Sequence, residues 1–161
     1  MAALTPFQRG LLVADGTVTK FVEAYWLEPV VVTRLAQAEQ RLAAAEGWLD
    51  LAAGAPVIRR RVVLHGGQSG RFFAWADSVM ALERLQPALR RGLEGNGGGL
   101  GRILLDTALE TRREGLWFGR ERPGEVPPEV AARWPGEFLT RTYRVLAAAR
   151  PIMLITERFA L

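Results

Sequence analysis

The feature that most constrains the fold is a series of β-strand segments that do not alternate regularly with helices. Six segments are rich in β-branched and aromatic residues, at positions 30–40, 57–65, 71–77, 107–118, 138–146 and 152–159. A glycine-rich turn at 66–70 and a short connection at 147–151 join four of them into two hairpins. Parallel strands need a crossover connection, usually a helix, and the chain lacks that repeat. The pattern therefore predicts one α+β domain, residues 1–161, with a six-stranded antiparallel sheet.

Helices are predicted at the start and in the middle of the chain. Thr5 and Pro6 have the order of an N-cap and a first helical residue, so a helix is expected there, with a second at 17–26. The second helix offers only Lys20 as a base, so this helix-turn-helix is interpreted as a packing or lid element rather than a DNA reader. Three more short helices are predicted, and they begin at residues 87, 100 and 129. A glycine-rich loop is predicted from residue 92.

The composition is that of a globular protein without disulfides. Hydrophobic residues make up 49% and charged residues 24% of the 161 positions, and no apolar run approaches the ~20 residues of a membrane span. The first ten residues lack the basic and apolar parts of a secretory signal, so we expect a cytoplasmic protein with no membrane contact. The absence of cysteine excludes disulfides, thiolate catalysis and cysteine-ligated metal sites.

The basic charge balance is weak evidence for nucleic-acid binding. The net charge is +4, from 21 Lys and Arg against 17 Asp and Glu, and the isoelectric point is near 10.5. Lys20 is the only lysine, and the arginines are scattered along the chain. Their densest cluster, at 59–61, has no interleaved aromatic residues that would stack on bases. We therefore expect no nucleic-acid partner.

Three charged residues interrupt strand faces that are otherwise apolar. Side chains alternate between the two faces of a strand, which places Arg60 among the apolar residues 58, 62 and 64. By the same rule Arg141 shares a face with 139, 143 and 145, and Glu157 with 153, 155 and 159. A buried charge needs a partner. Alternation alone leaves two interpretations open: an internal Arg–Glu pair or a strand end in solvent, or a pocket whose arginines bind carboxylates and whose glutamate contacts a proton or hydroxyl.

Two features that resemble known sites do not meet the requirements of those sites. The run 95–102 is rich in glycine, but no Lys-Ser/Thr pair follows it, so it matches neither a phosphate-binding loop nor a dinucleotide fingerprint. His65 is the only histidine, and without cysteine it predicts neither a metal site nor a Ser-His-acid arrangement. We therefore expect no metal and no cofactor.

Four segments carry a resemblance to a known family. LTPFQRGLLVADGTVTKFVEAY, VIRRRVVL, GLGRILL and RPIMLITERF occur in order and at suitable spacing between residues 4 and 159. Together they resemble the bacterial chorismate pyruvate-lyase family, including its shorter relatives. The resemblance implies a six-stranded antiparallel sheet with its active site closed under helical flaps. It also implies conversion of chorismate to 4-hydroxybenzoate and pyruvate without a cofactor or metal.

The resemblance also implies roles for individual residues. Arg60 matches the arginine that binds the ring carboxylate, and Glu157 matches the acidic residue of the terminal strand. Leu100, which precedes Gly-Arg, corresponds to a residue that offers mainly backbone to the ring, and Val18 to an apolar flap residue. We further expect Arg141 to face the enolpyruvyl carboxylate or its ether oxygen. Glu157 would contact the ring hydroxyl and take the proton.

Other functions and the assembly state are also considered. The same fold serves as the ligand-sensing module of certain transcription regulators, and a pocket with arginine and glutamate would suit sensing. A third interpretation is a lyase for a related chorismate-derived aryl carboxylate in a secondary pathway. The expected partners are chorismate and an aromatic product, and the expected state is a monomer or weak homodimer. A glycine stretch before Leu100 and a proline-rich excursion at 123–135 depart from the family pattern and would alter the flap.

Overall fold

The sheet has six antiparallel strands, as the sequence predicts. A computed structural model describes residues 3–15, 17–95 and 99–160. The strands are β1 Val30–Arg41, β2 Pro56–Gly66, β3 Phe72–Ala81, β4 Arg112–Glu121, β5 Phe138–Ala147 and β6 Arg150–Ala160. The helices are α1 Pro6–Val13, α2 Val18–Trp26, α3 Pro87–Glu94, α4 Leu100–Asp106 and α5 Pro128–Ala131. These elements confirm the predicted α+β class.

The strand order β1-β2-β3-β6-β5-β4 divides the sheet into two three-stranded meanders. The first contains β1 to β3 and the second β4 to β6. Both predicted hairpins are present, β2 with β3 and β5 with β6. The meanders are joined only where β3 pairs with β6, in a register that places Ala74 opposite Phe159 and Met80 opposite Met153. The middle of the sheet is therefore assembled from residues that are far apart in sequence.

The β5–β6 turn is tighter than the five-residue connection predicted at 147–151. Ala147 pairs with Arg150, so only Ala148 and Ala149 remain in the turn. Their φ angles are +47° and +60°, which is the left-handed geometry of a type I′ hairpin turn. Alanine disfavours this region, and the pair Ala148-Ala149 is not the Asn-Gly pair that usually predicts such a turn. The pairing of the flanking strands imposes it.

The first two helices cover one half of one sheet face. Thr5 caps α1 reciprocally, because its Oγ1 accepts from Gln8 N at 3.2 Å and its own N–H donates to Gln8 Oε1 at 2.9 Å. The buried residues of α1 and α2 pack against β2, β3, β5 and β6; this cluster contains Leu11, Val18, Val22, Val62, Leu64, Phe73, Leu139 and Phe159. The helix-turn-helix is thus a packing element of the sheet.

The third and fourth helices cover the other half of the same face. Leu89 and Leu93 of α3 and Ile103 and Leu104 of α4 pack against a cluster that includes Met80. The prediction that a glycine-rich loop begins at residue 92 is wrong. Leu93 is fully buried, and its packing extends α3 to Glu94. Residues 96–98 of that loop lie outside the described residues.

One further boundary and the position of one segment differ from the sequence prediction. The strand expected from residue 107 begins at Arg112, because α4 ends at a turn in which Ala108 has a φ of +49°. The proline-rich excursion also takes a different position from the expected one. Val130 of α5 packs with Val63, Trp75 and Phe138 on the opposite sheet face. The excursion's buried helix therefore does not belong to the flap.

Candidate active site

A small cavity lies between the sheet and the N-terminal ends of α2 and α4, and we name it the inner cavity. Its volume is about 60 Å³. All six strands contribute to its floor, and residues 17–19 and 99–101 form its roof. Four of the five residues singled out by the sequence border it: Val18, Arg60, Leu100 and Glu157. Segments that are up to 139 positions apart in sequence, from 18 to 157, therefore meet at one site.

Arg60 occupies the floor of the inner cavity on β2. It is only 6% exposed, and its Nη1 donates to Gln37 Oε1 at 2.8 Å. Burial, and then the neighbouring charge of Arg34, lower the pKa of Arg60. The environment thus disfavours the charged guanidinium, and a carboxylate bound in the cavity would offset that penalty.

Glu157 is held by two donors from the adjacent strand. Arg141 lies directly opposite it on β5, and Arg141 Nε donates to Glu157 Oε2 at 2.7 Å. Tyr143 Oη donates to Glu157 Oε1 at 3.3 Å. The Arg141 and Glu157 side chains are 6% and 13% exposed, so the ion pair is largely removed from water. One of the two interpretations from alternation, an internal Arg–Glu pair, is therefore present, and it borders a cavity.

Arg141 connects this carboxylate to helix α1. Its Nη1 donates to the carbonyl oxygens of Leu11 and Ala14, at 2.7 and 2.8 Å, at the C-terminal end of α1. Cations are favoured at this end of a helix, where carbonyl groups lack intrahelical partners. The described residues that line the inner cavity do not include Arg141. The structure places it behind Glu157, in the wall of a neighbouring cleft.

Tyr143 remains a hydrogen-bond donor at neutral pH. Burial raises the pKa of its phenol well above the usual value, and the negative charge of Glu157 raises it further. The phenol therefore keeps its proton and can stabilise the ionised carboxylate. Sequence alternation places Tyr143 on the correct face, but an aromatic residue on an apolar face gives no separate signal for a polar role.

Arg113 is the functional candidate that sequence reasoning misses. It borders the inner cavity from β4, and its Nη1 donates to the carbonyl oxygen of Asp15 at 2.9 Å. The β4–β5 register shifts between Gly115 and Trp117, so strict alternation cannot be followed along this strand. Arg113 is one of two adjacent arginines, and nothing in the local sequence distinguishes it from Arg112.

The roof is closed by a tight contact between α2 and α4. A Cβ atom added at Gly101 would lie 2.5 Å from Thr17 Cγ2 and 2.9 Å from Thr17 Oγ1. Glycine is therefore required for this approach. Val18 and Leu100 are the first residues of their helices, so both are placed over the cavity by the same contact.

The described residues contain neither a metal-binding cluster nor a membrane-spanning helix. Within 3–15, 17–95 and 99–160, no three His, Cys, Asp or Glu residues are grouped so that they could ligate a metal ion. In the same part of the chain no helix is long and apolar enough to span a bilayer.

Solved structures of bacterial transcription regulators share this fold. The effector domain of PhnF from Mycobacterium smegmatis superposes with a TM-score of 0.68 at 16% identity, covering 92% of this chain and 90% of that one. Intact PhnF gives a TM-score of 0.71 at 16% identity, and the chain covers 65% of its length. A GntR-family regulator from Bacillus cereus gives 0.60 at 10% identity, covering 81% of this chain and 90% of that one. At these identities the likeness concerns the fold alone.

Sequence comparison assigns the family within this fold. Residues 12–161 match the model of the Rv2949c-like chorismate pyruvate-lyases, and the chain belongs to that family. The chorismate pyruvate-lyase of Mycobacterium tuberculosis H37Rv is 28% identical in an alignment of 157 positions that covers 94% of this chain and 78% of that protein. The Mycobacterium leprae protein of the same name is 26% identical, over 94% and 72% of the two chains. The predicted family resemblance is confirmed.

Proposed function

We propose that the protein is a chorismate pyruvate-lyase that forms 4-hydroxybenzoate and pyruvate without a cofactor. The observation that carries the proposal is the inner cavity, where Arg60 and Glu157 meet under two helices in a chain of this family. The two residues lie on β2 and β6, which are separated by β3. Two strand spacings are roughly 10 Å. Side chains that reach inwards from these positions would hold the two ends of one ring, a carboxylate at one end and a hydroxyl at the other, once the cavity widens.

Cleavage of chorismate requires that the substrate is oriented and that the charge developing on the leaving enolpyruvate is stabilised. The ring C–O bond to the enolpyruvyl group breaks, and the hydroxyl-bearing carbon loses its hydrogen as a proton. The ring becomes aromatic, and the enolpyruvate that leaves becomes pyruvate on protonation. In this proposal Arg60 binds the ring carboxylate through charge-assisted hydrogen bonds. Glu157 contacts the ring hydroxyl and accepts the proton.

Arg141 and Arg113 take different parts in this proposal. The sequence led us to expect Arg141 at the enolpyruvyl carboxylate, but its guanidinium binds Glu157 and the end of α1. We propose that Arg141 positions Glu157. Arg113, which borders the cavity, supplies the second positive charge that favours a dianionic substrate. Leu100 and Val18 contribute the apolar roof.

The small cavity implies that the flap opens to admit substrate. A volume of about 60 Å³ corresponds to roughly two water molecules, whereas sites for drug-sized ligands have about 300 Å³ or more. Opening at the Thr17–Gly101 contact would widen the cavity without disturbing the sheet. Closure over the substrate then excludes water from the reacting ring.

Incubation of the purified protein with chorismate tests the proposal. Chromatography should detect 4-hydroxybenzoate and pyruvate in equal amounts, and the Arg60→Ala protein should produce neither above background. Another hydroxybenzoate isomer or a different aryl carboxylate would support the third interpretation, a related lyase. Chorismate that remains unchanged after prolonged incubation would contradict the proposal.

A sensor function is the second candidate, and its support is the fold shared with the effector domain of PhnF. Such a module would bind an aromatic carboxylate without converting chorismate. Calorimetric titration with 4-hydroxybenzoate, carried out beside the turnover assay, separates the two functions. Binding with turnover supports the lyase, and binding without turnover supports the sensor.

A further inference from the structure

Gln37 of β1 lies directly opposite Arg60 of β2 in the strand pairing. Residues that are paired in this way point their side chains to the same sheet face, which here is the face that carries the inner cavity. Gln37 is half-buried, and it is not one of the described residues that line the inner cavity, whereas Arg60 is. Gln37 therefore influences a bound ligand through Arg60 rather than by contact.

A bulge in β1 brings Arg34 to the same face as Gln37. The β1–β2 register shifts just after Arg34, so that Arg34 lies opposite Val62 and Gln37 lies opposite Arg60. In a regular strand, residues three positions apart would point to opposite faces. Because of the bulge, Arg34 Nη1 and Gln37 Nε2 both donate to the carbonyl oxygen of Leu93, at 3.3 and 3.0 Å.

The two hydrogen-bond partners of Gln37 require an amide between them. Arg60 Nη1 donates to Gln37 Oε1 at 2.8 Å, and Gln37 Nε2 donates to the carbonyl oxygen of Leu93. A guanidinium can only donate and a carbonyl oxygen can only accept, so the intervening side chain needs one acceptor and one donor. An ionised glutamate has only acceptors, and a lysine has only donors. Glutamine satisfies both partners and adds no charge.

The carbonyl group of Leu93 is a fixed anchor for this arrangement. It belongs to the last turn of α3, where carbonyl groups lack partners within the helix, and the Leu93 side chain is fully buried. Gln37 thus connects Arg60 to a well-packed helix end. A guanidinium that is already oriented loses less conformational freedom when it binds a ligand.

We propose that Gln37 is a specificity-determining residue, which holds Arg60 in place without adding charge and thereby makes the inner cavity select a carboxylate over a neutral group. This inference rests on the proposed function, in which Arg60 binds the ring carboxylate. Gln37→Glu would give Arg60 a negatively charged acceptor at the same position. That acceptor would form a charge-assisted hydrogen bond with Arg60 and compete with the carboxylate of the ligand.

Calorimetric titration with 4-hydroxybenzoate and with its neutral analogue 4-hydroxybenzamide tests this role. Wild type should bind the carboxylate about tenfold or more tightly than the amide, the difference expected for a hydrogen bond to a charged group. Gln37→Glu should weaken binding of the carboxylate by a similar factor and affect the amide much less, so that the preference disappears. Gln40→Glu adds the same charge at an exposed residue on the opposite face of β1 and should keep the wild-type preference.

Gln37→Met separates the position of Arg60 from its charge. This variant removes both hydrogen bonds of the amide without adding a charge. Binding of the carboxylate should therefore weaken severalfold, while the preference over the amide persists. Thermal melts show whether each variant folds, and Gln37→Met decides the role of the amide should Gln37→Glu fail to fold.

The outcomes distinguish this inference from the proposed function. Equal losses for the two ligands in Gln37→Glu, or wild-type affinity for the carboxylate in Gln37→Met, would overturn the role of Gln37 and leave the assignment of Arg60 standing. A wild-type protein that binds both ligands equally, or neither, would contradict the proposed carboxylate site, and this inference would fail with it.

Discussion

Arg141 and Glu157 lie opposite each other on β5 and β6, and the arginine that binds the carboxylate at 2.7 Å also binds the last carbonyls of α1. The orientation of the carboxylate is therefore coupled to the position of α1. If α1 moved away from the sheet, Arg141 Nη1 would lose both of its acceptors, while Nε would still face Glu157. The guanidinium that orients the proposed base is therefore fixed on two sides, by α1 and by the carboxylate.

Glu157→Gln should lower the single-turnover rate of chorismate loss by at least an order of magnitude, since acid–base groups typically contribute about 10²–10⁴-fold. Glutamine keeps the shape and can still accept a hydrogen bond from Arg141, but it cannot take a proton. Single-turnover measurement is needed because slow product release would hide a slower chemical step. A variant that melts earlier but keeps the wild-type rate would show that Glu157 serves only the ion pair.

Arg60→Ala should weaken 4-hydroxybenzoate binding by about tenfold or more, because a hydrogen bond to a charged group contributes about 1.5–3 kcal/mol. The fold should persist, since removal of a buried guanidinium also removes its desolvation penalty. Calorimetric titration and a thermal melt measure the two effects. Arg59→Ala changes the exposed neighbour on the other face and should bind normally. Unchanged affinity in Arg60→Ala would refute its assignment to the ring carboxylate.

Gly101→Ala should speed ligand release severalfold, because the added Cβ would collide with Thr17 and hold the roof open. Stopped-flow measurement of 4-hydroxybenzoate dissociation tests this expectation. Adding Thr17→Ala removes the colliding atoms and should restore slow release. Gly47→Ala is a matched control, since a Cβ added at Gly47 would meet no other atom within 4 Å. If Gly101→Ala releases ligand at the wild-type rate, the contact does not control opening.

Protonation of Glu28 should lower the stability of the protein in acid. Its carboxylate accepts from Ser69 N, Ser69 Oγ and Gln68 N, and these bonds, the Ser69 N–H first, lower the pKa of Glu28 below 4.5. A lowered folded-state pKa gives stability that is present above the unfolded-state value and is lost as pH falls through the folded value. Melting temperatures from pH 7 to 3 should therefore fall less in Glu28→Gln than in wild type. Parallel curves would contradict this role.

Extensive treatment with EDTA should leave the turnover of chorismate unchanged. Proton transfer and carboxylate binding are assigned to Glu157 and Arg60, and neither step requires a metal ion. The assay is run before and after chelation, with added Mg²⁺ and Zn²⁺ as separate arms. Activity that disappears with EDTA and returns with metal would refute the cofactor-free mechanism.

The sequence could identify the strand faces of the site but not the pairing within it. Alternation placed Arg60, Arg141 and Glu157 on buried faces because their strands are regular there, and burial agrees for all three. Alternation gives neither the neighbours of a strand nor their register. The predicted hairpin of 138–146 with 152–159 supplied the neighbours, but not the register that places Arg141 opposite Glu157. Arg113 escaped detection because a register shift interrupts the alternation on β4.

The single β3–β6 seam has a consequence for how the protein folds. Each meander can form from nearby residues, but Ala74 meets Phe159 only after a loop of more than 80 residues has closed. Arg60 belongs to the first meander and Glu157 to the second, so neither meander alone possesses the site. A ligand that contacts both residues binds only the completed sheet, and it would therefore stabilise the native state over any chain in which the two meanders are apart.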